Sequence, residues 1–161
     1  MSNQRGYNSN LASEFYVLSM LYRLGLDANL TLGNKKSVDI TVVHGPGSAV
    51  TVDVKAVVGK TDWLMGTPLT KPKPKHFVVL VSYEGRFEDP SNAPRCWVVP
   101  HAELLPRIKA GGKKGLHYLS RKTVKEELLA RESAWELLRQ ASRGRILLDF
   151  RASARTGPER P

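Results

Sequence analysis

Leu11, Phe15, Leu18 and Tyr22 recur at helical spacing, which predicts a helix over residues 10–24. Gly25 is a natural stop for it. The polar residues 1–9 before it are expected to fray. A short strand is predicted over 28–32, followed by a turn at 33–37. The period then changes from helical to two. Val38, Ile40 and Val42 alternate with Asp39 and Thr41; Val50, Val52, Val54 and Ala56 alternate with Thr51, Asp53 and Lys55. These runs predict strands over 38–43 and 50–58, joined by a hairpin loop at 44–49 rich in glycine. Residues 59–75 read as a long connection containing Trp63, Gly66, Pro68 and Pro72. The continuous apolar run inside 76–83 predicts a buried strand. A polar loop at 84–95, a strand at 96–99 closed by Pro100, and a short helix at 102–109 follow. Glycines 111, 112 and 115 break that helix. A last long helix is predicted over 121–139, with Val124, Leu128, Trp135 and Leu138 among its apolar positions. Ile146, Leu147 and Leu148 are expected to dock as a final short element, and 151–161 to form a disordered basic tail.

The order of helix, strands and helices predicts a mixed α/β fold. Its central mixed sheet carries an antiparallel hairpin and is flanked by helices. A chain of 161 residues with 41% apolar content suits one domain over 1–150. Its longest strongly apolar runs, such as Phe77 to Val81, fall far short of the roughly 18 residues of a spanning helix. With no signal-peptide pattern, a cytoplasmic protein is expected, with no membrane partner. The lone Cys96 excludes an intramolecular disulfide framework and a cysteine-cage zinc site.

Charge adds a direction. Lys and Arg number 25 against 15 Asp and Glu, a net +10. The excess is uneven: +1 over residues 1–58 and +9 over 59–161. A polyanion partner follows, nucleic acid first.

Candidate chemistry lies on the hairpin. Its two apolar faces must coincide, because a slip of one residue would turn one of them to solvent. Registers centred on Pro46 satisfy this and set Asp39 opposite Asp53. A register two residues over sets Asp39 opposite Lys55. In either, Asp39, Asp53 and Lys55 share one polar patch. Facing carboxylates repel unless a positive group lies between them. A hard divalent cation answers that need and leaves positions open for phosphate oxygens. Lys55 beside it is placed to orient water or steady charge on a phosphate. Glu14, at the edge of the first helix's apolar stripe, needs a metal or basic partner to be buried there. The other reading is a half-exposed strand with no chemistry, which shows the same alternation.

Glu14 on a first helix, Asp39 on a strand and Asp53-Val54-Lys55 on the next resemble the PD-(D/E)xK nuclease superfamily. That superfamily has the restriction-endonuclease-like fold and includes Holliday-junction resolvases. The stretches that carry the likeness are Ala12 to Val17 and Val52 to Ala56, with Trp63 downstream. The resemblance implies that Asp39 and Asp53 hold Mg²⁺, or Mn²⁺ in its place, with the carbonyl of Val54 as a further ligand. It implies that Lys55 activates water, and that Glu14 binds a second metal or orients a metal-bound water. The reaction implied is hydrolysis of DNA, more than RNA, leaving a 5′-phosphate. A two-fold dimer suits the cutting of two strands. The rival is a nucleic-acid-binding module of the same fold without turnover.

Two basic groups are candidates for the phosphate backbone. One is Lys71, Lys73 and Lys75, spaced by prolines; the other lies in an acid-free stretch with Lys113, Lys114, Arg121, Lys122 and Lys125. Trp63, Trp97 and Trp135 read as packing residues. The four histidines lack metal-ligand spacing and receive no role. Gly111 to Gly115 does not match a nucleotide-triphosphate loop.

Overall fold

The computed structural model describes residues 2–31, 38–45, 49–66, 71–111 and 116–144. The predicted turn at 33–37, the docking segment Ile146 to Leu148, the tail, Lys113 and Lys114 lie outside the described residues.

Helix α1 spans Ser2–Arg23, so the segment expected to fray is its first two turns. It ends as predicted. Gly25 takes φ +72°, its N–H donates to the Tyr22 carbonyl (2.9 Å), and the Leu26 N–H reaches back to Leu21 (3.1 Å). This is the paired C-terminal closure that glycine permits, with Leu21 and Leu26 both in the core.

Five strands form the central sheet: β1 (Asp27–Leu30), β2 (Ile40–Val43), β3 (Ala49–Val57), β5 (His76–Ser82) and β6 (Arg95–Pro100). They lie in the order β1-β2-β3-β5-β6. Only β3 and β5 run parallel; every other neighbour is antiparallel. The hairpin pairs Ile40 with Val52 and Val42 with Val50, the register centred on Pro46. Between β3 and β5 the chain makes β4 (Trp63–Gly66), where the sequence shows only a connection. β4 joins β7 (Lys109–Gly111) and β8 (Leu116–Leu119) in a small antiparallel sheet ordered β4-β8-β7. The helix predicted over 102–109 shortens to α2 (His101–Leu104) and one 3₁₀ turn, Leu105–Arg107, before β7 begins.

Strand parity divides the interior into two cores. Val50, Val52, Val54, Phe77, Val79, Val81, Cys96 and Val98 face α1. Val57, Val78, Leu80, Trp97 and Val99 face the small sheet through Trp63, Met65 and Leu119. The central strands are covered on both sides, which is why 76–82 reads as a continuous apolar run.

The same division breaks the predicted last helix. Val124 and Leu128 belong to one core, whereas Trp135 and Leu138 belong to the other, across the sheet. One straight helix cannot serve both. The chain forms α3 (Arg121–Glu127), a 3₁₀ turn and α4 (Glu136–Ser142), passing the β6 edge between them. There Glu132 bridges to Trp97 and accepts from Nε and Nη2 of Arg95 at 2.7 and 2.8 Å. Ser133 turns at φ +52° and donates its N–H to the Cys96 carbonyl.

The buried face of α1 also differs from the predicted stripe. Ser9, Ser13, Val17 and Leu21 are buried, while Phe15 and Tyr22 are more than half exposed. Ser13 Oγ bonds the Ser9 carbonyl (2.7 Å) and lies 3.2 Å from the Tyr83 hydroxyl. Small serines let the helix approach the sheet there, and the apolar stripe is rotated away.

Candidate active site

The principal cleft exists because β3 outruns its neighbour. β2 pairs with β3 only as far as Ile40 and Val52, and β3 continues to Val57. The unpaired edge of β3 opens onto a pocket of about 810 Å³. Its wall is made by Asn10, Leu11 and Glu14 of α1, Asp39 ahead of β2, Val54 and Lys55 of β3, Asp62 ahead of β4 and Leu64 within it.

Asp39 closes the ladder where the strand pairing stops. Its main-chain N–H donates to the Val52 carbonyl (3.1 Å), as the register requires. Its side chain then accepts the Val54 N–H on Oδ2 at 2.7 Å. Glu14 and Asp39 are only 7% and 9% exposed. Two nearly buried carboxylates on one pocket form a donor set for a hard cation. Among the described residues no three acidic, histidine or cysteine side chains group closely enough to cage a metal ion. Two oxygen donors of this kind suit a hard cation that completes its shell with waters or phosphate oxygens, and do not suit a structural zinc site.

Asp53 does not line this pocket with Glu14 and Asp39, although the register sets it across from Asp39. The parallel pairing of Thr51 with His76 instead brings an imidazole beside it. His76 Nε2 lies 3.5 Å from Asp53 Oδ2, and His76 Nδ1 bonds Thr51 Oγ1 at 2.8 Å. Burial alone would push the Asp53 carboxyl up; His76, with the charges of Lys55 and Lys73, outweighs it and holds the group below its ordinary value. His101 stacks obliquely on His76, ring centroids 5.1 Å apart, and accepts the Lys73 N–H on Nδ1 (3.1 Å). Burial, then the nearby His76 and Lys73, hold the His101 imidazole below its ordinary value. Spacing along the chain assigns these histidines no role. The parity of the 76–83 run puts His76 on the face of Val78 and Leu80, but only the β3–β5 register shows what it touches.

The basic candidates separate. Lys73 and Lys75 line a second pocket of about 410 Å³ with His76 and His101, and do not line the first. Lys71, Lys122 and Lys125 are exposed. Arg121, grouped with the surface lysines in sequence, turns inward instead. Its side chain is 12% exposed, pairs with Glu84, and lies over the Trp63 ring at 5.6 Å. Its N–H donates to Asp62 Oδ1 (2.8 Å), tying α3 to the wall of the first pocket. Trp63 is a packing residue, 1% exposed, donating its indole N–H to the Val81 carbonyl and meeting Trp97 edge-on.

Comparison with solved structures finds a bacterial homing endonuclease with a TM-score of 0.50 and 16% sequence identity. The superposition covers 84% of this chain and 93% of that one. The protein shares the fold of an endonuclease. No protein-family model and no curated protein sequence matches the chain. Among the described residues no helix is long and apolar enough to cross a membrane.

Proposed function

We propose that the protein is a nuclease of the PD-(D/E)xK type that hydrolyses phosphodiester bonds in DNA, duplex or branched. The observation that carries the reading is convergence. Glu14, Asp39 and Lys55 come from a helix, a loop and a strand and meet on one open pocket. The endonuclease fold and the net charge of +10 support it.

A divalent cation, Mg²⁺ or Mn²⁺, would be held by Asp39 and Glu14 with the carbonyl of Val54. Asp53 would have to turn from His76 to join them. When bound, the ion would supply Lewis acidity and make a water easier to deprotonate near neutral pH. Asp39 and Glu14 confine the site to an oxygen-ligated cation. Lys55 places an ammonium where negative charge grows on the scissile phosphate, and holds the attacking water by hydrogen bonding. The walls of α1 and of the segment leading into β4 set the approach of the strand.

The engagement of Asp53 by His76 favours one second reading, a DNA-binding module of this fold without turnover. One experiment separates them. The purified protein and Lys55→Ala are incubated with Mg²⁺ or Mn²⁺ on plasmid, linear, single-stranded and four-way-junction DNA. Metal-dependent cleavage that disappears in Lys55→Ala establishes the nuclease, and the preferred substrate names its class. Binding without cleavage, equal in both proteins, establishes the module.

A further inference from the structure

The small sheet presents a second surface. Trp63, Met65 and Leu119 point into the core, so alternation turns Leu64, Leu116 and Tyr118 outward. Register aligns them into rows: Leu64 opposite Tyr118 opposite Lys109, and Leu116 opposite Gly111. Leu64 is 64% exposed and Leu116 49%. Tyr118 lays its ring over Gly111, where a Cβ would collide with it. Among the described residues of β4, β7 and β8, this outward face carries lysine and no acidic side chain. One of its members, Leu64, is also part of the pocket wall.

We infer that this face enters the major groove of duplex DNA beside the cleft and sets base preference there. The inference rests on the nuclease reading for the position of the cleft. Dimensions agree with it. β7 and β8 form a two-stranded ribbon with strands about 4.8 Å apart, and β4 lies along the other edge of β8. The major groove is about 12 Å wide and admits a two-stranded ribbon. Chemistry agrees as well. Leu64, Leu116 and the Tyr118 ring offer apolar contact to thymine methyl groups, and Lys109 offers a cation to a guanine edge or a phosphate. Solitary exposed leucines need no partner. Here two of them flank a tyrosine on one face, and Leu64 carries that face to the edge of the cleft.

The test is selection from a duplex library randomised around the cleaved position. The parent is compared with Leu64→Ser and Leu116→Ser, each first shown to melt as the parent does. A short block of base pairs should be preferred by the parent. Each variant should lose that preference at one or two positions, by about fivefold or more. An unchanged preference in both variants overturns the inference. So does a change in sedimentation with unchanged preference, which would make the face a protein–protein interface. If the parent binds but does not cut, the same selection on bound DNA supports or overturns the inference in the same way, and only the nuclease reading fails. A parent with no affinity for DNA at low salt overturns both.

Discussion

A pair of substitutions separates the structural bond of Asp39 from its proposed role as a cation ligand. Its Oδ2 accepts the buried Val54 N–H at 2.7 Å, and the residue lines the pocket where the proposed cation would bind. Asp39→Ala leaves the Val54 N–H without this acceptor in a residue only 9% exposed. A hydrogen bond to a charged group contributes about 1.5–3 kcal/mol. A chain of this size loses about 2–4 °C in Tm per kcal/mol, so the metal-free variant should melt about 3–12 °C lower. Asp39→Asn keeps an oxygen for the same N–H and forfeits about half of that bond. Its metal-free melting point should fall by about half as much, about 2–6 °C. On the proposed function, Mg²⁺ at ten times its Kd should stabilise the parent by about 1.4 kcal/mol through binding to the native state alone. That is a rise of about 3–5 °C, which both variants should lack and Lys55→Ala should keep. Melting curves with and without Mg²⁺ read all of this. If Asp39→Asn keeps the Mg²⁺-dependent rise, Asp39 is not a ligand. If Asp39→Ala melts with the parent in the absence of metal, the ladder-closing role is wrong.

Two further outcomes test the surrounding structure. Burial would raise the Glu84 carboxyl, but Ser82 and Arg121 outweigh it and hold it low. A depressed carboxylate stabilises fully above its ordinary pKa of about 4.3 and loses that contribution as pH falls through the folded value. Glu84→Gln should therefore melt well below the parent at neutral pH, by about 1–3 kcal/mol, with the gap closing below about pH 4; a constant gap refutes the pairing. Burial, with the charge of Glu132, pushes the Cys96 thiol up to about 12. The folded protein should resist iodoacetamide at mildly alkaline pH and label only when unfolded, and equal labelling rates in both states would contradict its burial.

The pairing that sets Asp39 beside β3 was readable from periodicity. Alternation over 38–43 and 50–58 fixes which faces coincide, and the observed register is one of the two that it allows. What alternation cannot supply is the parallel neighbour. β5 pairs with β3 across a connection that hides β4, so neither the His76 contact with Asp53 nor the small sheet has a local signal. Trp63-Leu64-Met65 is too short for a period, and its partner β8 lies more than fifty residues away. The broken last helix has the same origin. Its apolar positions keep helical spacing throughout, and only the existence of two cores shows that they face different ones.

The rotation of α1 decides what the cleft contains. Had Leu11, Phe15, Leu18 and Tyr22 faced the sheet, that bulky stripe would hold the helix off Tyr83 and centre Leu11 on the core. Ser9 and Ser13 instead present small side chains there, and their hydroxyls are satisfied on the helix's own carbonyls at Gly6 and Ser9. A serine that bonds back to the preceding turn is buried without a stranded polar group. With that face inward, Asn10, Leu11 and Glu14 fall on the adjoining arc and reach the unpaired edge of β3. The position of the cleft carboxylate is thus set by the small residue one place before it. Enlarging Ser13 would act on Glu14 through the helix, even though Ser13 does not line the pocket.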